Sequence, residues 1–421
     1  MKDRSWRLVA RRSAPFLVEP EWNVPLEQWD HPGLVEVARG THRHVVRFLA
    51  VEDAIYALKE LSGDDAMKEY RLLGAMADDG LPVVERVGVV LRDDLDDVLI
   101  TRYLDFSLPY RHLFMTRWGA LTATHEVTER LLDALSLLLV RMHLAGYYWG
   151  DCSLNNTLLK RDGGALAAYV VDMETGEHHP ALTEGQRLED LEITQLNVAG
   201  GLMDVQAQLE LAEGLDPIET AEQLALRYTR LWDELNREEV VGSGERYLID
   251  QRIRRLNDLG FHVDEVEIEP IPGTDNGLMR LRTFVTEQGH HSRRLTDLTG
   301  IRAQENQARM LLNDLASFRS SVETIDARPM PKSVAAYRWL AEVFDPTIEA
   351  IPAALRDRFE PVEVFLDMLR HKWLLSESRG TDVGLSEAVR YYLDTVLPDA
   401  PTERVVVADE AEVDTGWIGF G

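Results

Sequence analysis

Apolar and polar positions follow two different periods along this chain, and the period changes near Glu126. Before that point the pattern is mostly strand-like. Residues 1 to about 30 are mixed, with Pro15, Pro20, Pro25 and Pro32 breaking any long element. From Leu34 to Leu61 short apolar runs at 34–37, 45–49 and 55–58 predict an antiparallel meander. Asp64 to Met76 reads as a helix with Asp64 near its start. Val83 to Val90 and Val98 to Tyr103 predict two more strands, joined by an acidic turn over 92–97.

After Glu126 the period becomes helical. Val127, Leu131, Leu135, Leu138, Leu139 and Met142 fall on one face, and Gly146 suits a C-cap. Leu158-Leu159 and Ala168 to Val171 predict a hairpin around the turn Asp162-Gly163-Gly164. Helical periodicity returns over 184–213, 216–238, 246–259, 303–320, 334–347, 361–378 and 384–397, with a loop-rich interruption from Phe261 to Gly289. The expected division is an N-terminal extension (1–30), a β-rich lobe (31–104), a helical lobe (105–215), a second helical domain (216–400) and a tail (401–421). No internal repeat or low-complexity block interrupts this plan.

Composition narrows the classes. A chain of 421 residues with 45% apolar and 28% charged positions is expected to form two or three soluble globular domains. Its net charge of -28 argues against nucleic acid as a main ligand, because phosphate backbones need a basic surface. No apolar run approaches the ~20 residues that span a bilayer, and no signal-like stretch follows the charged start, so a cytoplasmic location is expected. The single cysteine, Cys152, excludes an intrachain disulfide and has no paired metal ligands or base motif beside it.

The densest chemistry lies just past the first long helix. Asp151 follows the aromatic run Tyr147-Tyr148-Trp149-Gly150, Asn156 stands five residues later, and Asp172 stands 16 residues beyond Asn156, across the hairpin. Each alone is an ordinary turn or cap residue. Their order after a helix and a Gly, with oxygen donors suited to a hard cation, is much harder to obtain by chance. Glu174 and Glu177 are candidate additional ligands, weighed evenly against a surface turn.

These residues resemble the protein-kinase-like superfamily, and more nearly its bacterial lipopolysaccharide-core sugar kinases, whose loop reads His-Gly-Asp. Met142-His143-Leu144-Ala145-Gly146 matches the helix end before that loop, and Gly150-Asp151 and Asn156 match the loop, over roughly residues 30–215. The resemblance implies an α+β, two-lobe protein-kinase-like fold, with a small β-rich N-lobe and a helical C-lobe, followed by a mostly α-helical C-terminal domain. It implies ATP and Mg²⁺ as cofactors, Asp151 as the base for an unidentified hydroxyl acceptor (a sugar, glycolipid precursor or protein), and Asn156, Asp172 and Glu174 on the metal. Lys59 would neutralise the nucleotide phosphates and pair with Glu69 on the following helix, while Glu60 is the weaker partner because side chains alternate along a strand. Gly40 and the basic His42, Arg43 and His44 would cover the phosphates, and the strand Thr101 to Leu104, with Thr101 and Tyr103, would contact adenine. The whole chain also resembles an uncharacterised actinobacterial family that appends a helical domain of unknown function.

Three departures from the pattern stand out. Trp149 occupies the position of a His that normally braces the loop, Asp172-Met173-Glu174 replaces Asp-Phe-Gly, and the phosphate loop is poor in glycine. They motivate an alternative, a nucleotide-binding pseudokinase acting through a protein partner on its helical domain. In that domain the basic island His290 to Arg294 with Arg302 is more simply a solvated loop than a phosphate site, and Trp339, Trp373 and Trp417 read as core or interface residues.

Overall fold

The computed structural model describes residues 6–37, 44–109, 125–208, 215–237, 239–241, 266–270, 279–283 and 289–400, except 13, 19 and 53. Gly40, His42, Arg43, Trp417, the tail and the helix expected over 246–259 lie outside the described residues.

The N-terminal half is built on a six-stranded antiparallel sheet in the order β1-β5-β6-β4-β3-β2. Its strands are β1 (Trp6–Ala10), β2 (Leu34–Val35), β3 (Val46–Val51), β4 (Ala54–Leu61), β5 (Arg86–Arg92) and β6 (Asp97–Arg102). Alternation sorts its side chains. Leu99 packs towards helix α1 (Asp65–Asp78) with Tyr70, Leu73 and Met76, while Val98 and Ile100 face the opposite layer.

That opposite layer comes from the stretch before residue 31, which periodicity left unassigned. Leu17, Trp22, Leu26 and Trp29 cover the sheet, and β1 pairs in register with β5 along its edge. The prolines do break the segment into short 3-10 turns, at Pro15–Val18 and Leu26–Gln28, but each turn still buries a leucine, Leu17 and Leu26. Glu60 points into this layer, 2.7 Å from Arg92, as the alternation with Lys59 requires.

The helical part begins with α2 (His125–Leu144), whose Leu131, Leu135, Leu138, Leu139 and Met142 are buried. Burying each such side chain favours the folded state by roughly 1.5–3 kcal/mol. Gly146 ends the helix at φ +82°, and a Cβ there would lie 2.0 Å from the His179 carbonyl oxygen, so only glycine fits. Beyond it come β9 (Thr157–Asp162) and β10 (Ala165–Val170), in one small sheet with β7 (Ser107–Pro109) from before α2, and β8 (Tyr147–Tyr148) with β11 (Glu177–His178) in another. Helices α3 (Glu184–Gln208) and α4 (Pro217–Asn236) close this region. Asp216 caps α4 by accepting from the Ile218 and Glu219 amides, with Pro217 at the first helical position.

The interruption expected as loop contains β13 (Val266–Pro270) and β14 (Met279–Thr283), which form a sheet with β12 (Glu239–Val241) in the order β12-β14-β13. The helical C-terminal region then runs through α5 (His290–Thr299), α6 (Glu305–Asp326), α7 (Lys332–Trp339), a π turn over Leu340–Phe344, α8 (Asp345–Glu349), α9 (Ala353–Arg356), α10 (Pro361–Arg379) and α11 (Leu385–Thr395). Trp339 is buried against Phe344 and Phe365, whereas Trp373 is 62% exposed and belongs to no core. The basic island forms α5, with His291 held 2.7 Å from Glu305. Among the described residues no helix is long and apolar enough to cross a membrane. The fold is thus a β-rich lobe, a helical lobe and a second helical region, in the α+β arrangement expected of a kinase-like chain.

Candidate functional site

A cavity of about 480 Å³ opens between the six-stranded sheet and the small sheet of β9 and β10. Its apolar end is lined by Val46, Ala57, Leu99 and Leu158. Ala57 stands two residues before Lys59 and therefore on the same face of β4. That alternation was a usable signal which the sequence reading did not take up. Thr101 and Tyr103 are also on the wall; the Tyr103 N–H is already donated to the Ile55 carbonyl at 2.8 Å, and its ring meets Phe48 edge-on at 5.9 Å.

The polar end is organised around Lys59. Its ammonium is 3.1 Å from Glu69, 2.5 Å from Asp172 and 3.5 Å from Glu174. Glu69 is fully buried and also accepts from the Met173 amide at 3.1 Å, so one carboxylate holds the lysine and the chain just after Asp172. Burial works against the Lys59 ammonium, yet Glu69 and Asp172 outweigh it and hold its pKa above the ordinary lysine value. Burial, and then the charge of Asp172, pushes Glu69 up to about 8. Three carboxylates around one ammonium leave this end of the cavity short of positive charge. His44 Nε2 lies 2.7 Å from Glu174, which is thereby engaged on two sides.

Asp151 sits at the cavity floor between two amides. Asn156 Nδ2 donates to its Oδ2 at 3.1 Å, and Asn197 Nδ2, from α3, donates to its Oδ1 at 3.0 Å. Asn156 also donates to the Asp151 carbonyl at 2.9 Å, closing the five-residue loop on itself. The structure therefore brings Lys59, Glu69, Thr101, Tyr103, Asp151, Asn156, Asp172 and Glu174 to one cavity. Glu177 is exposed on β11 and pairs with His179 instead. Among the described residues no three His, Cys, Asp or Glu side chains form a ready metal cage. Cys152 is buried and its thiol is pushed well up by that burial, which keeps it a neutral core residue.

The loop is braced by groups that sequence reasoning missed or misjudged. The Trp149 indole N–H donates to the Asp172 carbonyl at 2.8 Å, so the tryptophan ties the Asp151 loop to the Asp172 strand. The brace expected to be lost with the histidine is present, because a carbonyl needs only a donor and indole supplies one. Asp190, wholly buried on α3, accepts from the Trp149 amide at 2.7 Å and the Gly150 amide at 2.8 Å. It also meets His143 Nε2 at 3.0 Å, and His143 Nδ1 meets the Tyr228 hydroxyl at 2.6 Å. The signal for Asp190 was an acid placed four and eight residues before Thr194 and Val198, on the buried stripe of α3.

Residues 45–202 match the family model of the lipopolysaccharide kinase (Kdo/WaaP) family, and residues 230–397 match that of a domain of unknown function (DUF4032). No curated protein matches the chain. A solved structure described as WaaP in complex with acyl carrier protein is similar at 18% identity and a TM-score of 0.37, covering 60% of this chain and 99% of that one. The chain thus joins a segment that matches the lipopolysaccharide kinase (Kdo/WaaP) family to one that matches the DUF4032 domain.

Proposed function

We propose that the chain is an ATP- and Mg²⁺-dependent phosphotransferase that moves the γ-phosphoryl group to a hydroxyl acceptor. The observation that carries this reading is the convergence of Lys59, held by Glu69 and Asp172, with Asp151 and Asn156 on one cavity. The residues fit the ligands on their own chemistry. The apolar end suits a flat base, and the volume lies within the range of small-molecule sites. The polar end offers one ammonium for phosphate and hard oxygen donors, on Asp172 and Asn156, that would suit a hard divalent cation.

Within this scheme each residue has one task. Lys59 binds phosphate oxygens, and Glu69 keeps its ammonium aimed into the cavity. Asp172 and Asn156, with Glu174 beside them, would hold Mg²⁺, which would supply charge neutralisation for the transferring group. Asp151 receives the proton of the attacking hydroxyl as the new P–O bond forms and the bond to ADP breaks. Its two amide donors, from Asn156 and Asn197, fix the carboxylate in place. The acceptor enters along α3, where Leu196, Gly200 and Asp204 continue the cavity wall past Asp151. Trp149 supports an active site over a pseudokinase, since it supplies the brace that the residue change had put in question.

Thermal unfolding with ATP, with and without Mg²⁺, tests the reading. A ligand at ~100 times its Kd adds about 2.7 kcal/mol to the native state. A Mg²⁺-dependent upward shift is expected, lost in Asp172→Asn and kept in Asp151→Asn, which should instead abolish ATP turnover. Unshifted melting with every nucleotide, or unchanged turnover in Asp151→Asn, would overturn it.

A further inference from the structure

The hairpin β9–β10 connects the two halves of the site. β9 starts at the residue after Asn156, and β10 ends two residues before Asp172. Thr157 faces Val170 in register, and the Val171 amide donates to the Asn156 carbonyl at 3.1 Å. The base of the hairpin therefore sets the spacing of the two oxygen donors assigned to the metal. Its tip lies about 17 Å away, at a strand rise of ~3.3 Å per residue.

That tip is gripped by the helical C-terminal region. Asp162 caps α6 from outside its own sequence neighbourhood: its carboxylate accepts from the Gln307 amide at 2.7 Å and the Asn306 amide at 3.2 Å. Asn306 returns a bond from Nδ2 to the Asp162 carbonyl at 2.8 Å. Gln304 donates to the Arg161 carbonyl at 2.5 Å and accepts from the Tyr169 hydroxyl at 3.2 Å. The Gly163 amide donates to buried Glu363 at 2.6 Å, and Arg161 reaches both oxygens of Asp367 at 2.9 Å. Gly163 is at φ +60°, a conformation that favours glycine, and it packs closely on α6, where a Cβ would stand 2.8 Å from Met310 Sδ. Contacts of this kind are directional. They specify where the hairpin sits more than they add to net stability, because buried charges give back most of their attraction as desolvation.

We propose that Arg161, Asp162 and Gly163 are positioning residues for the nucleotide site, through which the helical C-terminal region sets its affinity for the metal-bound nucleotide. The inference rests on the nucleotide reading above. A two-stranded hairpin is marginally stable by itself, and among the described residues its further backbone partners are the short β7 and a one-residue bridge from Val83 to Val170. Releasing the tip lets the base sample spacings that do not serve one ion. If the competent fraction falls from near one to about a tenth, the apparent Kd rises about tenfold. Metal-free nucleotide, which needs Lys59 and the apolar end but not the Asn156–Asp172 spacing, is affected much less.

Calorimetric titration of the full chain, with Mg-ATP and separately with ATP in a chelator, tests this. Asp162→Ala is expected to weaken Mg-ATP binding about tenfold while changing metal-free ATP binding less than about twofold. Asp162→Asn, which keeps one acceptor oxygen for α6, should recover part of the loss. Asp367→Asn, which keeps one acceptor for Arg161, provides a second variant should Asp162→Ala not fold. Folded variants with unchanged affinities, or with equal losses for both forms of the nucleotide, would overturn the coupling and leave the nucleotide reading standing. A wild-type chain that binds neither form would overturn both.

Discussion

At the scale of single residues, Trp149 shows how a side chain can keep a role while changing its chemistry. It is completely buried, and its indole N–H is committed to the Asp172 carbonyl. Trp149→Phe preserves most of the packing but leaves that carbonyl without its donor, at a cost of about 1–3 kcal/mol in a buried setting. It should also loosen Asp172 and so weaken Mg-ATP binding. Trp149→His restores a donor and should recover affinity despite the smaller ring. Denaturant unfolding of both variants beside their nucleotide titrations checks the pair; equal affinities in Trp149→Phe and wild type would show that the brace is only packing. The order of Asp151, Asn156 and Asp172 was legible because loop spacing fixes which short segments face one another. Asp190 and Asn197 were not read, since their value comes from where α3 crosses the loop some forty residues downstream. No local period encodes that crossing.

At the scale of elements, helices were the most legible parts. The stripes over 216–238 and 361–378 became α4 and α10 with ends displaced by no more than two residues, and the stripe over 184–213 contains α3. Strands of five residues or fewer were missed where they do not alternate against a clear core. β1 gains its place by pairing with β5, and β12 and β13 gain theirs by pairing with the two edges of β14. The hairpin β9–β10 was read as a turn between strands, but its second role, as the seat for α6 and α10, is tertiary. Glu363 reports on that seat. Its Oε1 accepts from the Gly163 amide and Gln307, Arg161 lies 3.5 Å from its Oε2, and Asp367 and Glu360 are the neighbouring acids. Burial raises its pKa from 4.5 to about 7. A carboxyl raised in the folded state binds more protons there than in the unfolded chain. Its stabilising contribution is therefore full below about 4.5 and is lost as pH climbs through about 7. Glu363→Gln does not titrate, so its stability relative to wild type should improve as pH rises across that window, by at most about 3 kcal/mol. Unfolding free energies of both proteins at pH 5 and pH 8 measure the difference, and a constant offset would mean that the carboxyl does not sense the seat.

At the scale of the whole molecule, the two matched families do not meet as beads on a string. Five residues of the C-terminal region, Gln304, Asn306, Gln307, Glu363 and Asp367, are bonded to three consecutive residues of the kinase-like hairpin, and the first turn of α6 is capped by that hairpin. An isolated helical region would exchange these bonds for water and lose their net contribution, about 0.5–1.5 kcal/mol for each neutral bond and more for the charged ones. The two parts should therefore unfold as one unit even though each has its own apolar core. Binding at the Lys59 end must then stabilise both, because a ligand raises the stability of whatever unfolds with its site. Hydrogen exchange gives the test at each place separately: amides of β4 and α1 report the nucleotide lobe, and the amides of Asn306 and Gln307 report the seat. With saturating Mg-ATP, protection should rise at both, and by similar factors if opening is global. Protection confined to β4 and α1 would mean that the helices let go before the lobe unfolds, and the hairpin would then transmit nothing between them.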